Sequence, residues 1–95
     1  MYMRIVRATP NPGQANELAR RWEDSFLPRM KAIPGFQKSY FGSDPADSRT
    51  AVVTLWDTQP DTSQLPAMVE AFRNQVADII SGPPEIIDYE VITEG

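Results

Sequence analysis

Cysteine and histidine are both missing from the 95 residues. The first absence removes disulfides, thiolate metal ligands and a catalytic thiol. The second removes the commonest general base, the usual zinc ligand and an imidazole axial ligand for haem. Long apolar runs are lacking too, since none approaches the roughly 20 residues that span a bilayer. The segment Met1 to Arg7 alternates instead of forming a hydrophobic block, and no small-residue cleavage site follows it. The expected location is the cytoplasm, with no membrane partner. Nor is there a Lys/Arg cluster: 13 acidic against 9 basic side chains leave a net charge of -4, so nucleic acid is not an expected partner either. Chemistry in this chain is left to carboxylates, Tyr, Arg, Lys, Ser/Thr, backbone dipoles or the substrate's own reactivity.

What remains is ordinary for a globular domain, with 41% apolar and 23% charged residues. The length allows one domain, residues 1–95, with a modest core that burial against a second copy would enlarge. Hydrophobic periodicity switches between two and three-to-four along the chain and predicts the order β-α-β-β-α-β, the split βαβ arrangement. Two helices cover only one face of a four-stranded sheet, so an apolar second face needs a partner.

Tyr2 to Ala8 reads as the first strand, ended by Thr9-Pro10-Asn11-Pro12-Gly13. Ala15, Leu18, Ala19, Trp22, Phe26, Met30 and Ile33 then form one helical stripe. Pro28 interrupts it, crowding the carbonyl of Asp24, and predicts a kink or an early end. Phe36 to Phe41 reads as the second strand and Thr50 to Trp56 as the third, joined by a turn-rich stretch from Gly42 to Ser48. On the third strand, Ala51, Val53 and Leu55 share the face expected to meet the helices; Thr50, Val52, Thr54 and Trp56 share the other. Asp61, Thr62 or Ser63 is expected to cap the second helix, with Pro66 in its first turn and a stripe from Leu65 to Ile80. Gly82-Pro83-Pro84 ends it, and a last strand runs through Ile86, Ile87, Tyr89, Val91 and Ile92.

Pro34-Gly35-Phe36 after the first helix and Trp56-Asp57-Thr58 after the third strand, set in this element order, resemble the antibiotic biosynthesis monooxygenase-like domains of the dimeric α/β barrel superfamily. The resemblance spans nearly the whole chain. It implies an α+β, ferredoxin-like βαββαβ protomer: a four-stranded antiparallel sheet with two helices on one face, the other face meeting a twin to form the barrel of a homodimer. Some members of that family oxygenate aromatic polyketides without metal or flavin, and others degrade haem with a histidine on the second helix, which this chain lacks. No cofactor is therefore implied. Trp56, Arg73, Tyr40 and Tyr89 match residue types that surround a phenolic substrate in the oxygenating relatives, and Trp56 alone of these sits in a motif.

Each of the four has a plainer reading beside the binding one. Trp56 lines a ligand cavity or makes a packing or dimer contact. Arg73 orients an oxyanion or pairs with a surface acid such as Glu70. Tyr40 and Tyr89 donate to a substrate oxygen or to structural groups. Arg4 and Arg7 point to opposite faces of the first strand, and either can pair with Asp88 or Glu90 across to the last strand. Asp44 and Asp47 fit a turn better than a metal loop. Asp57 is a conceivable proton acceptor, but no catalytic residue is assigned. Two functions stay open: a cofactor-independent monooxygenase acting on a small aromatic or quinol-type compound in a cavity of the dimeric barrel, and a non-catalytic homodimer that binds a small molecule or serves as an accessory protein.

Overall fold

In the computed structural model the described residues are 1–46, 49–60, 63 and 65–95. The alternating segments become strands β1 (Tyr2–Ala8), β2 (Phe36–Ser43), β3 (Thr50–Trp56) and β4 (Glu85–Glu90). They form one antiparallel sheet in the order β2-β3-β1-β4. Helices α1 (Ala15–Arg21), α2 (Leu27–Lys31) and α3 (Leu65–Val76) complete the ferredoxin-like α+β fold.

Pro28 neither ends nor simply kinks the first helix. A π-helical turn over Trp22–Phe26 joins α1 to α2, and the Leu27 amide donates to the Trp22 carbonyl five residues back. Widening the helix one turn before Pro28 relieves the crowding at Asp24 while keeping Trp22, Phe26 and Met30 buried on one side. The second helix ends at Val76, short of the expected stripe. Ile79 and Ile80 follow in a turn and remain buried, because Ile80 bridges to Pro10 and the Ser81 and Asn11 amides bond back across to Thr9 and Ile79. Of the expected caps, Asp61 and Thr62 lie outside the described residues, as does Asp47 of the turn.

The face assignment of β3 is the reverse of the one expected. Thr50, Val52, Thr54 and Trp56 are buried, and Ala51, Val53 and Leu55 are half-buried on the far side. Strict alternation tells which residues share a face but not which face meets the helices. The helices take the face bearing the largest side chain: Trp56 is 2% exposed and meets Phe36 edge-on at 5.4 Å. The two threonine hydroxyls tolerate burial because each finds an acceptor, Thr50 on the Ala8 carbonyl at 3.1 Å and Thr54 on that of Arg4 at 3.4 Å. Val6, Ala8, Leu18, Trp22, Phe26, Met30, Val52, Trp56, Phe72 and Val76 belong to one core between sheet and helices.

On the helix-free face, register aligns Tyr40, Val53, Ile5 and Ile87 in one row and Lys38, Leu55, Met3 and Tyr89 in the next. Opposed residues on antiparallel strands point the same way, so these side chains form a continuous, mainly apolar surface.

Candidate site between the helices and the sheet

Arg4 is the unexpected member of the helix-facing side of β1. Alternation aims it inward with Val6 and Ala8, and it is 4% exposed. A buried guanidinium needs an opposite charge, and β4 supplies one: Asp88 lies directly across from Arg4 in register. Arg4 Nε donates to Asp88 Oδ1 at 2.7 Å and Nη2 to Oδ2 at 3.1 Å. This fork fixes the plane of the guanidinium and leaves Nη1 without a hydrogen-bond partner among the described residues.

The opposite neighbour of Arg4 is Thr54 on β3. Trp56 Nε1 donates to Thr54 Oγ1 at 2.9 Å, and Thr54 Oγ1 in turn donates to the Arg4 carbonyl. A chain of bonds thus holds the indole plane of Trp56 relative to the strand that carries Arg4. Such a satisfied buried network gives a rigid wall.

A cavity of about 380 Å³ opens above this wall, lined by Arg4, Trp56, Phe26, Arg29, Met30, Ile33, Pro60, Met68 and Ala71. Its volume lies within the range of small-molecule pockets, and its walls are mostly apolar with few polar groups, the usual composition of such sites. A narrow inner space of about 30 Å³ shares Arg4, Phe26, Met30 and Met68 with it and adds Trp22, Thr54 and Phe72. Trp22 Nε1 is the sole fully enclosed side-chain nitrogen or oxygen without a partner among the described residues, and it is sealed from that space as well. Arg4 Nη1 is not enclosed in that way, and Arg4 lines the cavity.

Elsewhere the helices are pinned together. Arg21 at the end of α1 donates to Asp78 at 2.7 and 3.1 Å and to the Gln75 carbonyl at 2.8 Å. Glu17 bonds both Arg20 and Arg21, and these two guanidinium groups, Arg20 first, hold its carboxyl down at about 2. Arg21 likewise depresses Asp78. A second, open groove of about 800 Å³ runs past Arg7, Thr9, Asp44, Arg49 and Glu85. Its lining mixes charged and apolar residues, it is open to solvent, and it lacks an aromatic wall among the described residues.

The four residues singled out from sequence are not brought together. Trp56 lies against the cavity, but from the helix side of the sheet. Tyr40 and Tyr89 stand on the helix-free face, 58% and 42% exposed. Arg73 is exposed in the last turn of α3 and is not among the lining residues. Asp57 is exposed, accepts a bond from Gln37 and does not line the cavity. Arg4 takes the place foreseen for Arg73, and its pairing with Asp88 was one of the two expected for it. What could not be read was that this pair lies under the helices, because that depends on which face they cover.

No protein-family model and no curated protein matches the chain. Solved structures do resemble it. One, from Bordetella bronchiseptica, is called a "putative antibiotic biosynthesis monooxygenase"; it is 16% identical, the match covers 97% of each chain, and the TM-score is 0.75. The monooxygenase from the gene ActVA-Orf6 of Streptomyces coelicolor, solved with the ligand nanaomycin D, is 13% identical over 99% of this chain and 92% of its own, with a TM-score of 0.73. A Nitrosomonas europaea protein of unknown function is 23% identical over 99% and 91%, with a TM-score of 0.67. These likenesses show that the chain has the antibiotic biosynthesis monooxygenase-like fold.

Proposed function

We propose that this protein is a cofactor-independent oxygenase acting on a small, electron-rich aromatic compound in the cavity between helices and sheet. The observation that carries the reading is the juxtaposition of a fixed indole, Trp56, with a buried guanidinium, Arg4, in an otherwise apolar cavity. An aromatic ring stacks against the first, and its phenolic oxygen accepts a bond from the second. Placing a cation beside a phenol favours the ionised form. A phenolate or quinol anion reacts with oxygen directly: the ring supplies the electrons, one oxygen atom ends on the ring carbon as a quinone carbonyl, and the other leaves as water.

The protein's contribution is to hold the ring, favour the electron-rich form and keep water from the intermediate. Among the described residues no carboxylate lines the cavity. The phenolic proton therefore passes to solvent and not to a protein carboxylate. The solved structure that carries nanaomycin D supports a small-molecule occupant for this fold.

The same reading includes a homodimer. The rows through Tyr40, Val53, Ile5 and Ile87 and through Leu55, Met3 and Tyr89 form an apolar sheet face that the protomer's own helices do not cover. Two such faces packed together bury an obligate-type area of about 2,000 Å² or more. Tyr40 and Tyr89 then serve association and not substrate binding.

Oxygen uptake with a panel of naphthols and hydroquinones tests the function. The expected result is consumption above the rate in buffer, abolished when Met68→Trp fills the cavity. A panel that binds the protein without any oxygen uptake would replace this reading with the accessory, non-catalytic one, which the absence of a lining carboxylate favours.

A further inference from the structure

The charged and unpartnered groups around the cavity are unevenly distributed, and their distribution describes the ligand more narrowly than the apolar walls do. At the inner end stands one donor without an acceptor. Arg4 Nη1 is the free arm of a guanidinium whose other two nitrogens are taken by Asp88. A donor left unpaired on a nearly buried side chain is costly, and native interiors rarely keep one without a role. Arg4 lines both the inner space and the wider cavity.

Asp88 already balances the charge of Arg4, so a permanent anion such as a carboxylate gains little at the inner end. A phenolic oxygen, neutral on binding and ionised only as the ring reacts, suits the free arm of that guanidinium better. At the outer end the balance differs. Arg29, on the outward side of α2, lines the wider cavity, is exposed, and has no ion-pair partner among the described residues. Arg4 and Arg29 are the only charged residues among the described lining. With Arg4 neutralised by Asp88, the cavity carries one uncompensated positive charge, at its mouth, in a chain whose net charge is -4.

We infer that the cavity selects an aromatic monoanion, its acceptor oxygen held at the inner end by Arg4 Nη1 and its carboxylate held at the mouth by Arg29. The inference rests on the aromatic-ligand reading and narrows it to an acid bearing an oxygen at the opposite end of the ring system. Arg29 is thereby a specificity-determining residue.

The test is calorimetric titration, at low and at moderate salt, with 6-hydroxy-2-naphthoate and with its methyl ester, which has nearly the same shape and no charge. The acid should bind about tenfold or more tightly than the ester at low salt, the range set by a charge-assisted bond. That advantage should shrink with added salt and vanish in Arg29→Gln, while ester affinity stays the same. Arg29 is exposed on α2, so the variant is expected to fold, and a circular dichroism melt checks it. Equal binding of acid and ester would overturn the assignment of charge and leave the aromatic reading standing. A preference that survives Arg29→Gln would also overturn it. Failure of both compounds to bind would sink this inference together with the reading of the cavity.

Discussion

Phe36 and Trp56 face each other across β2 and β3, their rings 5.4 Å apart and inclined at 81°. One residue further along each strand end, the Asp57 amide donates to the Gly35 carbonyl at 2.8 Å. Two tripeptides read separately in sequence, Pro34-Gly35-Phe36 and Trp56-Asp57-Thr58, are therefore one unit in space. That unit closes the end of the sheet where Trp56 meets the cavity, and its geometry depends on Gly35, whose φ is +90°.

Gly35→Ala should consequently destabilise the fold by about 1–2 kcal/mol, the cost of a left-handed conformation for a residue with a Cβ. The added methyl meets nothing closer than 3.8 Å, so crowding contributes little. Urea denaturation of the variant and its parent measures the difference.

The Arg4–Asp88 pair has one partner almost fully buried and the other 18% exposed in its side chain. Removing one partner strands a charge. Asp88→Leu is expected to cost about 3–5 kcal/mol, whereas Arg4→Met combined with Asp88→Leu should recover most of that loss. A double-mutant cycle by denaturant unfolding reads both. Ligand affinity should not return with stability in the double variant, because Nη1 is gone.

Glu17 makes stability fall in acid. Its carboxyl is lowered from 4.5 to about 2 by bonds to Arg20 and then Arg21. Between those values the unfolded chain binds the proton more readily than the folded one. The stabilisation is therefore fully present above about pH 4.5 and is lost as the pH falls through about 2. Glu17→Gln should flatten the stability profile across that window in denaturant titrations at stepped pH. Asp78, lowered by Arg21, works in the same direction and leaves a residual slope.

Val53 stands in the middle of the helix-free face, between Tyr40 on β2 and Ile5 on β1. Placing a charge there should cost the proposed dimer its apolar contact without touching the core beneath the helices. The parent is expected to sediment as a dimer and Val53→Lys, at the same concentration, as a monomer with its far-ultraviolet circular dichroism unchanged.

The element order was legible because periodicity changes sharply, from the alternation of Tyr2 to Ala8 to the three-and-four spacing of Leu18, Trp22 and Phe26. The turn residues Pro34-Gly35 and Gly82-Pro83-Pro84 also mark boundaries by simple backbone chemistry. Burial of β3 was not legible. Its two faces carry comparable apolar area, and the deciding contacts, Trp56 with Phe36 and Thr54 with the Arg4 carbonyl, join residues that are 20 or more positions apart. The same limit hid the site. Tyr40 and Tyr89 matched by residue type, but alternation in β2 and β4 turns them away from the helices. Arg4, which looks like an ordinary strand charge, is a buried cation that lines the cavity.

The chain has only two tryptophans, so its two indole N–H signals in a proton–nitrogen correlation spectrum report directly on the cavity. One belongs to Trp22, unpartnered, and the other to Trp56, bonded to Thr54. Titration with 6-hydroxy-2-naphthoate should move the signal of the sealed Trp22 indole little. The Trp56 signal should shift by ring current and keep its slow exchange with water. If both indole signals stay fixed while residues around Tyr40 and Tyr89 respond, the ligand binds the other face of the sheet and the site described between helices and sheet is wrong.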